Sequence, residues 1–170
     1  MTAADEVFGR SPIASTDDVA RLAGVGIATV FRHFPTKTEL LEAVLTLRLE
    51  RLRDQALELA GSGDPGKAFF GFFTQVVSES ASKLAIGEAL TAAGASAGED
   101  AQKAGRGMRD AFEGLLTRAQ HSGAVRNDAD LPEVYALLIG ASRGATAASL
   151  EADVRDRMLA LIYDGLKPRS

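Results

Sequence analysis

The chain contains no cysteine and no tryptophan. Without cysteine it has no disulfide framework and no thiolate metal site, and a cytoplasmic setting is expected. Histidine is scarce. His33 and His121 lie far apart, and with no His-rich spacing no zinc site is expected. No serine nucleophile elbow is present, so neither an enzyme nor a cofactor is expected. No hydrophobic run preceded by basic residues opens the chain, so no signal peptide is read. Between Glu133 and Glu151 the one charge is Arg143, but the stretch is broken by small and polar residues and does not read as a membrane span. No β signal rises above background. The 17 glycines and many alanines, with tryptophan absent, suit closely packed helices.

The charge balance is acidic, −4 at pH 7 with a pI near 5.2, which by itself argues against nucleic acid. Distribution matters more than the sum. From Arg21 to Lys37 stand Arg21, Arg32, His33 and Lys37, with no carboxylate. The same residues carry helix-turn-helix spacing. Ala20 is small where a second helix crosses close over the first. Gly24 suits the left-handed residue that ends the first helix. Val30 plugs the second helix onto the first, helped by Val19, Ala23, Val25 and Phe34.

The patterning predicts helices throughout, an all-α chain. Ser15 and Asp18 form a capping-box pair before a helix that stops at Gly24. A second helix runs from about Ile27 to Phe34, ended by Pro35. Thr36 and Glu39 cap a long helix over roughly Lys37 to Ala60. Gly61 to Gly66 is a break. Ala68 to Leu90 reads as one or two helices with an aromatic stripe, Thr91 to Gly98 as a loop, and Gln102 to His121 as another helix. Pro132 begins the next helix, and Val154 to Leu166 marks the last. Before all of these, Ala3 to Phe8 reads as the end of a first helix, followed by a break from Gly9 to Pro12.

The segment AGVGIATVFRHFPTKTELLEAVL resembles the DNA-binding segment of the TetR (tetracycline-repressor) family. The resemblance is carried by Val19-Ala20, Ala23-Gly24-Val25, Ala28-Thr29-Val30-Phe31, His33-Phe34 and Lys37. It implies a TetR-like fold, with a helix-turn-helix DNA-binding domain over 1–45 and a helical ligand-binding and dimerisation domain over 46–170. Against the family pattern the first helix is short, so an N-terminally truncated member is expected. Gly26 stands where a Ser or Thr cap is common, and Phe31 where a Tyr is common. The implied function is a ligand-responsive regulator, a repressor, bound to a palindromic operator as a homodimer and released by a small molecule. One rival is a ligand-binding, dimerising protein that has lost DNA reading with its first helix; a second is a small helical enzyme reusing the fold.

The resemblance assigns DNA contact to Ser15, Gly26, Ile27, Ala28, Thr29, Phe31, Arg32, His33 and Lys37. Ile27 can meet a thymine methyl, Thr29 and Arg32 can reach phosphate or a base edge, and His33 and Lys37 grip the backbone. An apolar effector pocket is assigned to Phe69, Phe72, Phe73, Val76, Met108, Phe112, Tyr135 and Leu138, for which plain core packing is the competing reading. The last two helices would form the family's four-helix dimer interface, with Leu137, Ala141, Arg143, Ala145, Ala148, Met158, Leu161 and Ile162. Arg143 either pairs across that interface or with a ligand, or snorkels to solvent. The loop GSGDPGK, Gly61 to Lys67, has glycine spacing like a P-loop, but Ala68 stands where magnesium needs a hydroxyl. It follows a helix rather than a strand, so it is read as a connection.

Overall fold

The computed structural model describes residues 1–11 and 14–168, without the side chains of 81–83 and 85. Pro12, at the end of the expected break, lies outside the described residues. Among those described there are nine helices and no strand. In chain order they are α1 (Thr2–Arg10), α2 (Thr16–Ala23), α3 (Ile27–His33), α4 (Lys37–Ala60), α5 (Pro65–Ser78), α6 (Ser80–Ala92), α7 (Glu99–His121), α8 (Leu131–Ala147) and α9 (Ala152–Leu166). The architecture is all-α, with a helix-turn-helix in α2 and α3.

Local chemistry sets most of the boundaries. Ser15 caps α2 by a full capping box: its Oγ accepts from the Asp18 amide at 3.1 Å, and its own amide donates to Asp18 Oδ2 at 2.9 Å. Gly24 ends α2 with φ +67°, a left-handed conformation that costs glycine nothing. The Thr36 hydroxyl accepts from the Glu39 amide at 3.1 Å, at the head of α4. The expected P-loop-like segment is a helix start. Asp64 accepts from the Lys67 amide at 3.0 Å with Pro65 in the first turn, so α5 begins before Ala68. The Lys67 amide bond holds the Asp64 carboxyl below its ordinary 3.8, with desolvation opposing.

Several boundaries differ from the sequence reading. Helix α1 continues through Gly9 and Arg10, where a break is expected, and Gly9 lies close against the Arg48 guanidinium. Helix α6 extends to Ala92, and α7 starts at Glu99, whose acidic first turn suits the helix N-terminus. Phe34 is the C-cap of α3 rather than its last helical residue.

The chain packs as two compact units, residues 1–50 with 82–106, and residues 51–81 with 107–170. By contacts the change of unit within α4 falls at residue 50, and part of α6 packs with the first unit. The reason lies in packing: Ile86 and Leu90 of α6 are buried in one cluster with Ala4, Phe8, Val19, Ala20, Val30, Leu40, Leu41 and Val44. Val19 and Val30 thus act as the inter-helix plug, whereas Ala23 and Val25 are exposed.

The second unit is built on α5. Phe69, Phe72 and Phe73 are fully buried and meet Phe112 of α7 at ring separations of 5.5, 6.1 and 6.3 Å. Gly66 lies at the start of α5 with no room to spare: a Cβ there would come within 2.8 Å of the Ala124 Cβ. Alanine gains about 1 kcal/mol of helix propensity over glycine, while overpacking of this kind costs about 1–3 kcal/mol. Gly66→Ala is therefore expected to lower the urea midpoint, by a net loss on the order of 1 kcal/mol. A raised midpoint would show that Ala124 moves aside freely.

Candidate nucleic-acid interface

Helix α3 is held by one inward residue. Val30 is 8 % exposed, and at about 100° per residue the side chains two places away, Ala28 and Arg32, point to the opposite side. Both are exposed. Ile27 and Phe31 flank this outer line on one side, at 40 % and 43 % exposure. Thr29 and His33, also exposed, flank it on the other. The outer face thus combines a small residue that lets a surface approach, a long cation, apolar flanks and two polar groups, with no carboxylate in the first turn. Such a face fits a groove of duplex DNA.

The supporting residues are placed in different ways. Ser15 is exposed, but its hydroxyl is committed to Asp18 Oδ2 at 2.7 Å. That bond, with the Ser15 amide and the Arg21 charge, holds the Asp18 carboxyl below its ordinary 3.8 against a small desolvation cost. Arg21 turns back onto its own helix, to Asp17 at 2.8 Å and Asp18 at 3.3 Å, so its charge is locally balanced. Gly26 caps α3 with no side-chain bond. Lys37 is half-buried, its Nζ 5.8 Å from the Phe8 ring centre, which places it at the base of the motif rather than on the α3 face. Thr29 and His33 also border an apolar recess of about 220 Å³, floored by Ala4, Val19, Val30 and Leu40.

The expected effector residues come together in the second unit. Phe69, Phe72, Phe73, Val76, Met108, Phe112 and Leu138 are buried there. Tyr135 is half-buried, 6.1 Å from Phe112, with the Arg109 guanidinium 5.2 Å from its ring. Burial pushes the Tyr135 phenol up, with Arg109 opposing. Sequence reasoning missed Tyr163, whose hydroxyl lies 2.7 Å from Thr74 Oγ1 and donates to the Phe70 carbonyl at 3.1 Å. Burial pushes its phenol up too, with the Thr74 bond opposing. Only its separation of 93 positions from Phe70 hid it.

The expected dimer residues divide. Leu137, Arg143, Ala148 and Leu161 are exposed, and Met158 and Ile162 are half-buried. Ala141 and Ala145, at 6 % and 8 % exposure, are instead covered by their own unit, because they share the α8 face of Val134 and Leu138.

Residues 1–44 match the bacterial regulatory proteins of the tetR family. Residues 64–168 match the C-terminal domain described as transcriptional regulator SbtR-like. The chain belongs to the TetR family. Two solved relatives cover it almost end to end. A TetR transcription regulatory protein from Mycobacterium vanbaalenii is 32 % identical with a TM-score of 0.79, over 98 % of this chain and 92 % of its own. A TetR transcriptional regulator from Streptomyces coelicolor is 29 % identical with a TM-score of 0.81, over 99 % and 97 %. The ketosteroid transcriptional regulator of Mycobacterium tuberculosis, 17 % identical with a TM-score of 0.67 over 99 % and 93 %, shares the fold. No curated protein sequence matches the chain. As a TetR-family member the protein is a transcriptional regulator, not an enzyme, with a DNA-binding N-terminal part and a ligand-binding C-terminal part. No helix among the described residues is long and apolar enough to cross a membrane.

Proposed function

We propose that the protein is a cytoplasmic repressor that binds a palindromic operator as a homodimer and leaves it when a small apolar molecule binds the second unit. The observation that carries the DNA half is the α3 face opposite Val30, with Ala28 and Arg32 foremost. Ile27 would meet thymine methyls, Arg32 a guanine edge or phosphate, and Thr29 and His33 the backbone. Phe31 would pack on the sugar-phosphate without a phenolic bond. Ser15, Gly26 and Lys37 would fix the motif's approach.

Dimerisation is supported by an apolar surface left open on the last two helices. Leu137 of α8 is 42 % exposed, and Leu161 of α9 is 76 % exposed. Exposed Gly140 and Gly144 would allow close approach of a second copy, with Arg143 as the charged member of that face. Two recognition helices would then sit about 34–36 Å apart, one turn of DNA. The effector reading rests on the phenylalanine cluster, which suits an apolar molecule. Helix α4, shared by both units, would carry the change by shifting a population of dimer conformations.

Sedimentation and mobility shift test this together. The wild-type chain is expected to sediment as a dimer and to retain duplex DNA with an affinity that falls steeply with salt. Leu161→Lys is expected to yield monomers with weaker retention. A monomeric wild type, or retention that ignores salt, would contradict the proposal.

A further inference from the structure

Helix α1 forms the floor of the helix-turn-helix: Ala4 and Phe8 share its core with Val19, Ala20 and Val30. Against α4, α1 makes apolar contacts through the same cluster, with Leu41 and Val44. Such contacts are non-directional. A polar contact adds direction. Arg48 of α4 donates from Nε to Asp5 Oδ1 at 2.6 Å and from Nη2 to the Asp5 carbonyl at 2.8 Å. Its side chain is 11 % exposed and that of Asp5 19 %. A planar fork that holds a carboxylate and a main-chain carbonyl together fixes both the height and the angle of α1.

Two further observations mark this as a positioning device. Gly9, one turn beyond Asp5, would bring a Cβ within 3.1 Å of Arg48 Nη2, a tight approach that would make the guanidinium shift by a few tenths of an ångström. And Arg48 Nη1 is buried without a partner among the described residues. A half-buried ion pair with an orphaned donor is a poor stabiliser, because desolvation offsets much of its attraction. Setting the register of packed elements is the better-attested role for such a pair.

We propose that Arg48 is the positioning residue through which α4 sets α1, and with it the presentation of α3 to DNA. The clamp lies near the end of the first unit's share of α4, which runs on to Ala60. A change in α4 is therefore handed to the DNA-binding helices through Arg48 as well as through the apolar core. This rests on the DNA reading proposed above.

The test compares the full-length wild type with Arg48→Met, Arg48→Lys and Gly9→Ala. Each is titrated against a duplex selected by the wild type, a random duplex, and duplexes with the half-sites moved one base pair apart. Arg48→Met is expected to lose about ten-fold in affinity for the selected duplex. Its affinity for random DNA should hold, and its spacing preference should flatten. Arg48→Lys keeps the charge without the fork and is expected to recover part of the loss. A purely structural role would lower the unfolding temperature yet leave the selected-to-random ratio and the spacing preference of the folded fraction intact; that result would overturn the proposal. If Arg48→Met does not fold, Gly9→Ala carries the same two outcomes, since it retains both charges and displaces the guanidinium. A wild type with no sequence preference would overturn the clamp together with the DNA reading, whereas failure of the clamp alone leaves the wild-type preference in place.

Discussion

Ala28→Asp is expected to weaken operator binding by about a hundred-fold or more while leaving the fold's stability nearly unchanged. The side chain is exposed and points away from Val30, so it carries no packing. It is the second residue of α3, whose first turn contains no acidic group. An aspartate there gains about 0.3–1 kcal/mol from the helix dipole and loses a similar amount in helix propensity, up to about 0.7 kcal/mol. The two nearly cancel. Against DNA the same carboxylate meets phosphates or base-edge acceptors, and like-charge opposition across an interface costs several kcal/mol. A dimer suffers this twice. Urea unfolding beside a mobility shift separates the two effects: an unchanged midpoint with retention lost is the expected pair. Full retention would move the DNA-facing side of α3 away from Ala28 and Arg32.

The second large effect belongs to the other unit. Phe112→Ala is expected to cost about 3–5 kcal/mol of stability. That is a large share of the roughly 5–15 kcal/mol that holds a domain of this kind together. Phe112 is fully buried and its ring meets Phe69, Phe72, Phe73 and Tyr135. Its loss removes the hub of the cluster and leaves a cavity that rigid neighbours cannot close. The midpoint of thermal unfolding should fall by roughly 10 °C. Phe31→Ala, the same substitution at a 43 % exposed site, should barely move it. A loss at Phe112 under about 1 kcal/mol would mean that the ring faces open space rather than a packed core.

The parts of this fold written in local chemistry were legible in the sequence. The bounds of α4, Lys37–Ala60, follow from Thr36 at one end and Gly61 at the other, and the structure has them. The Ser15–Asp18 box and the left-handed Gly24 are likewise in place. What required the third dimension was missed. Gly9 reads as a helix breaker, yet it lies within α1, close against the guanidinium of Arg48, which is distant in sequence. The spacing of Ile86 and Leu90 shows a buried face but not which core buries it, so α6 joins the DNA-binding unit unannounced. Val25 looks like a plug by its apolarity and is 43 % exposed. The α3 face was legible because helical period alone orients it once Val30 is inward. For α8 the apolar stripe contains two directions, and the sequence could not separate the inward Ala141 and Ala145 from the outward Leu137.

The central claim is that α3 reads DNA sequence in a dimer. Selection of duplexes from a random pool by the full-length protein, at physiological salt, tests it most directly. The account predicts enrichment of an inverted repeat whose half-sites lie about one helical turn apart, with Ala28→Asp enriching nothing. Bound duplexes that remain random in sequence would contradict it.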